Sequence, residues 1–305
     1  MFARKLTILL LAAAILSLGG AACAFDLLSP WGYVWVNGAH YKTNLDSLKF
    51  DSDLLRVESK IGVNLMPLWA QASVQPYLVY YGVASADKHS YYNNSVSGIG
   101  VQVMPLLGIG AVDWLQDLKV FCESLSISFS NKDEDDPLEN PDDNYKWDTK
   151  AGLEIWHVWN EPGVYTVENR GMLWSELWAQ IAYRNTNFEY DNGERFNNYM
   201  LYFQPKVGIY LWKFFNNVSI EPYLKADIMT SGKSDYYRNN AAYGGGLRVR
   251  PLLSGDLFGM DVQYLKKLKF FVEVLAVSYL KDNPPDGEDF INHDFRVGVD
   301  FDYGR

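Results

Sequence analysis

The chain has 305 residues, a formal net charge of −10, and 15% of its residues are Phe, Trp or Tyr. This acidic balance excludes nucleic-acid or anionic-membrane binding driven by charge. The aromatic enrichment suits the interfacial girdles of a membrane barrel better than a soluble sandwich.

The first 24 residues read as a leader rather than as structure. Arg4 and Lys5 precede an apolar run from Leu6 to Leu18, and Gly19-Gly20-Ala21-Ala22-Cys23-Ala24 has the small-x-small form of a secretory cleavage site. The run is shorter than the roughly 20 residues of a spanning helix. Cleavage after Ala24 removes both basic residues and no acidic one, so the charge falls from −10 to −12. It also removes Cys23, and Cys122 alone supports neither an intrachain disulfide nor a thiolate metal cluster. Residues 25–305 then form the mature domain, which must rest on packing and strand pairing.

Beyond the leader, stretches of period-two alternation predict strands over 31–42, 53–65, 70–84, 95–104, 117–130 and 145–158. A second series follows over 172–187, 197–211, 217–230, 240–250, 267–280 and 291–303. The pattern is clearest at the end, where Phe295, Val297, Val299, Phe301 and Tyr303 alternate with Arg296, Gly298, Asp300 and Asp302. No apolar run is long enough for a transmembrane helix, so a membrane position requires a closed sheet. The fold expected is all-β: a twelve-stranded antiparallel transmembrane β-barrel, with both termini on the periplasmic side.

The two series repeat at a spacing of about 146 residues, which indicates a duplicated structural unit. Ile61-Gly62-Val63 matches Val207-Gly208-Ile209, Gln75-Pro76-Tyr77-Leu78 matches Glu221-Pro222-Tyr223-Leu224, and Val103 to Leu107 matches Val249 to Leu253. The repeats run over about 31–158 and 172–303. In this arrangement the polar connections 43–52, 85–94, 131–144, 188–196, 231–239 and 281–290 face outward. The inward connections are the compact turn 66–69 and the longer 105–116 and 251–266, each of the last two long enough for a short helix.

Charges choose the lumen, because a basic side chain at the lipid midplane costs about 2–4 kcal/mol. Alternation therefore assigns Arg56, Glu58, Lys60, Asp148, Lys150, Glu154, Glu176, Arg184, Lys206, Glu221, Lys225, Asp227, Arg248, Arg250, Arg296, Asp300 and Asp302 to the inner wall. Tyr77, Tyr81, Trp178, Tyr202, Tyr210 and Tyr223 fall among them, and aromatic faces beside polar groups suit a sliding carbohydrate. Trp31, Trp69, Trp114, Trp159, Trp174 and Trp212 stand at strand ends, where tryptophan marks the membrane interface.

The outer segment 133–143 gathers Asp133, Asp135, Asp136, Asp142 and Asp143, oxygen ligands that could share a divalent cation with lipopolysaccharide. It lacks the spacing and glycine of an EF-hand, and a solvated charge run is the plainer reading. Its counterpart at 282–289 is also acidic. No cofactor is implied. His40, His89, His157 and His293 read as surface residues without a paired serine nucleophile, so no enzyme is expected.

Arg184-Asn185-Thr186-Asn187-Phe188, Glu221 to Asp227, and Tyr92-Asn93-Asn94 with Gly98 to Val101 resemble the outer-membrane barrel region of phage-adsorption proteins associated with exopolysaccharide secretion. The resemblance implies a bacterial outer-membrane barrel beside a polysaccharide-secretion machine, with a periplasmic scaffold supplied by another polypeptide. The partners implied are outer-membrane lipids, lipopolysaccharide and the barrel assembly machinery, with no nucleic acid. Three functions stay open: a channel or export component for a surface polysaccharide, an adhesin or receptor scaffold acting through acidic loops, and an outer-membrane lipid hydrolase.

Overall fold

The computed structural model describes residues 28–43, 51–69, 72–86, 93–105, 113–129, 145–160, 171–187, 197–214, 218–233, 239–251, 268–280 and 291–303. The expected leader and both acidic outer segments lie outside them. Thirteen β segments make up the wall: β1 Leu28–Thr43, β2 Asp51–Trp69, β3 Ala72–Ser85, β4 Asn94–Pro105, β5 Leu118–Phe129, β6 Tyr145–Trp159, β7 Leu173–Thr186, β8 Asn198–Ile209, β9 Trp212–Phe214, β10 Val218–Ser231, β11 Asn240–Pro251, β12 Leu268–Tyr279 and β13 Ile291–Tyr303. Each pairs antiparallel with its neighbours, and β1 pairs with both β2 and β13, so the sheet closes on itself. The three-residue β9 continues the line of β8 along β10, so the wall has twelve staves.

Strand boundaries fall close to the alternation, with two differences. The turn expected at 66–69 is strand instead: β2 runs to Trp69, which pairs with Ala72, and the register shifts between Leu65 and Trp69. The shifted stretch contains Pro67, which has no N–H to give to a ladder. The strand expected over 197–211 breaks at Tyr210 and Leu211. Both residues stay bonded to the flanking staves, Tyr210 through its N–H to the Met172 carbonyl at 3.1 Å and Leu211 through its N–H to the Ile220 carbonyl at 3.1 Å. Of the two long inward connections, the first holds a 3-10 turn over Asp113–Asp117, and 252–267 lie outside the described residues.

Alternate residues face opposite sides. In β12, Phe271, Glu273 and Leu275 are buried while Phe270, Val272 and Val274 are exposed. Large rings fit inside because glycines stand next to them. A Cβ on Gly100 would lie 2.4 Å from the Tyr77 ring, and one on Gly246 would lie 2.5 Å from the Tyr223 ring. Each tyrosine thus lies flat across the neighbouring stave and reaches the stave beyond.

Candidate functional site: the ion-paired lumen

That reach builds the lumen's polar hubs. Tyr77 of β3 crosses Gly100 of β4 and donates to Glu123 of β5 at 2.8 Å. Lys60 of β2 meets the same carboxylate at 3.0 Å, and Tyr81 donates to it at 3.1 Å. Tyr223 of β10 crosses Gly246 of β11 in the same way and donates to Glu273 of β12 at 2.7 Å. Lys225 adds an ion pair to Glu273 at 3.1 Å.

A second cluster stands on the inner wall at the end of the lumen near the chain termini. Glu221 is fully buried and is held by Arg248 at 2.8 Å, Arg250 at 3.4 Å and the Ser219 hydroxyl at 2.6 Å. Arg248 also stacks 4.0 Å from the Trp174 ring centroid and lies 3.8 Å from Glu176. Lys206 pairs with Glu176 at 3.4 Å. Trp156, Glu176, Tyr210, Arg248, Lys269 and Asp302 are among the residues lining a cavity of about 10 Å³, the space of about one water.

The third cluster lies toward the opposite rim. Arg296 meets Asp294 at 2.6 Å, Asp227 at 3.1 Å and Glu273 at 3.6 Å, and Gln204 donates to Asp227 at 2.6 Å. Across the barrel, Arg184 pairs with Asp148 at 2.5 Å, Lys119 with Glu154 at 3.8 Å, and Tyr33 donates to Glu58. Trp178 packs on Tyr202 with ring centroids 5.8 Å apart. Asp300 stands on the same face of β13 as Arg296, with one carboxylate oxygen buried and unbonded. Arg56 lies over the Tyr41 ring and Lys150 over the Tyr81 ring. Several of these contacts skip two staves, so they lace the lumen as chords rather than coat its wall.

The opposite surface is apolar. Leu78, Ile99, Leu153, Leu224, Val274 and Val297 are exposed on different staves, while charges of β6, β10, β12 and β13 such as Asp148, Glu154, Glu221, Glu273 and Asp294 are buried. A soluble fold does not show water so wide an apolar surface and enclose its ions. The chain is a transmembrane β-barrel.

No family model and no curated protein matches this barrel. Among solved structures it is similar to the β-domain of the Bordetella autotransporter BrkA, at 12% identity and a TM-score of 0.35, covering 90% of this chain and 99% of that one. It is also similar to the translocator domain of NalP from Neisseria meningitidis, at 11% identity and a TM-score of 0.33, over 98% and 97% of the two chains. An outer membrane channel from Pseudomonas putida F1 gives 9% identity and a TM-score of 0.38 over 93% and 98%.

Several assignments change. Trp31 and Trp174 do not mark a membrane interface: both point inward, Trp31 against Gly62 and Tyr77, Trp174 against Gly208, Tyr210 and Tyr223. The facing glycines at 62 and 208 make room for them. His157 is not a free surface residue, since it bonds to Asp117 at 2.5 Å and packs on Trp159, which ties the 3-10 turn to the outside of the wall. The hubs Glu123 and Glu273 escaped the sequence reading. In β5, Phe121, Leu125 and Ile127 face inward and Cys122, Ser124 and Ser126 outward, so hydrophobicity there points the wrong way. Among the described residues no cluster of three or more His, Cys, Asp or Glu side chains could hold a metal ion. The acidic metal candidates at 133–143 lie outside them.

Proposed function

We propose that the protein is a bacterial outer-membrane channel component that passes a saccharide through its lumen and performs no catalysis. The observation that carries this reading is the inner wall, where ion pairs alternate with tyrosine and tryptophan from one end to the other. A barrel serving only as an anchor needs no such lining, whereas a polar solute stripped of water needs both charges and aromatic faces. The ion-pair chords make the path narrow, which favours an extended chain over a bulky solute. A surface polysaccharide passed on by a periplasmic scaffold is the cargo that fits, with the barrel assembly machinery inserting the chain after removal of its leader. The matching hubs Tyr77–Glu123 and Tyr223–Glu273 support an origin by duplication of a six-stave unit.

Purified barrel reconstituted in planar lipid bilayers is expected to give discrete conductance steps that added oligosaccharides reduce. A silent membrane containing folded barrel would count against the channel.

A further inference from the structure

One part of the outer face is not greasy. On β4 and β5 the side chains pointing away from the lumen include Ser95, Ser97, Cys122, Ser124, Ser126 and Ser128, and Thr149 follows on β6. The ladders bring them together: Ser95 stands opposite Ser128, Ser97 opposite Ser126, and Thr149 opposite Ser124. Ser97, Ser124 and Ser126 are exposed, and among the described residues none of the six hydroxyls meets a partner within the chain.

The other half of the barrel carries apolar side chains at the matching places. The hubs Tyr77–Glu123 and Tyr223–Glu273 each cross a glycine, Gly100 and Gly246, which aligns β4–β5 in depth with β11–β12. In that alignment Val272, Val274 and Ala276 stand where Cys122, Ser124 and Ser126 do, and Tyr243 where Ser97 does. Val272, Val274 and Tyr243 are all exposed. A headgroup level that wets the whole circumference therefore does not account for the serines.

Acyl chains offer a hydroxyl no partner, and an unmet hydroxyl at that depth is unfavourable. Between membrane helices, small polar side chains let two backbones approach and bond across the contact, and the same holds for two walls. Hydroxyls both donate and accept, so this face is complementary to itself, and it carries no charge that would select a charged partner. Its relief agrees. Leu78 and Ile99, 60% and 64% exposed, form a ridge beside the serine trough, with Ile99 directly opposite Ser124. A two-fold copy sets the ridge of each barrel into the trough of the other.

We infer that the protein pairs with a second copy of itself through the outer face of β4 and β5. This goes beyond the channel reading and does not depend on it.

The experiment is dipolar spin-label spectroscopy on mature barrel in lipid vesicles, with folding verified by heat-dependent gel migration. One label is carried by Leu153→Cys, on the stave next to β5, and in a separate sample by Val272→Cys, half-way round the wall, both on a Cys122→Ser background that keeps a hydroxyl in the face. Labels at 153 are expected to show a short distance between barrels, and labels at 272 a much longer one. Ser124→Leu with Ser126→Leu leaves the face compatible with lipid and should raise the barrel concentration needed for half pairing about tenfold, the scale of two lost hydrogen bonds in a membrane. No coupling between labels at 153, a distance at 272 as short as that at 153, or pairing unchanged by the two leucines would overturn the inference.

Discussion

Glu221→Ala is expected to destabilise the barrel by about 3–5 kcal/mol, the range for removing one partner of a buried ion pair. Glu221 is fully buried and draws together Arg248, Arg250 and the Ser219 hydroxyl. Without it the two guanidiniums lose the carboxylate they share beside a cavity with room for about one water, and Glu176, 3.8 Å from Arg248, offsets part of the charge. Urea unfolding from lipid vesicles measures the loss. Glu221→Gln keeps the volume and an acceptor oxygen, so it should fall between the alanine variant and wild type. Stability unchanged by the alanine substitution would mean that water reaches the guanidiniums freely and solvates them without Glu221.

Val274→Arg is expected to cost about 2–4 kcal/mol in the same assay, the penalty for a basic residue near the bilayer midplane. Val274 lies midway along β12, is 58% exposed, and faces away from the lumen between Gly245 and Phe295. An exposed valine on a soluble protein would accept arginine within about 0.5 kcal/mol. The substitution therefore discriminates sharply between a barrel in lipid and one in water. The two substitutions lie on opposite faces of the wall, so their costs should add when combined.

What the sequence made legible was whatever repeats with period two. β13 was readable because Phe295, Val297 and Val299 alternate with Arg296 and Asp300, and each charge declares its face. β5 was not, because its inner face mixes Phe121 and Leu125 with Glu123 while its outer face carries Ser124 and Ser126. Pairings were hidden for a different reason. Alternation places Lys60 and Glu58 on one wall but gives no hint that Lys60 prefers Glu123, three staves away. That choice depends on lumen width and on Gly100 letting Tyr77 lie flat. The inward turn of Trp31 and Trp174 had a readable signal, namely glycines at matching positions in the next strand, but only once the register was known.

The central claim is a closed wall whose apolar face meets lipid and whose charges meet one another inside. The most direct measurement is oxygen accessibility of a spin label carried in turn by residues 270 to 275 of β12, in lipid vesicles, on a Cys122→Ser background. Labels at 270, 272 and 274 should be highly accessible to oxygen dissolved in the bilayer, and those at 271, 273 and 275 poorly accessible, giving a period of two. A flat profile, or maxima at 271, 273 and 275, would contradict the arrangement.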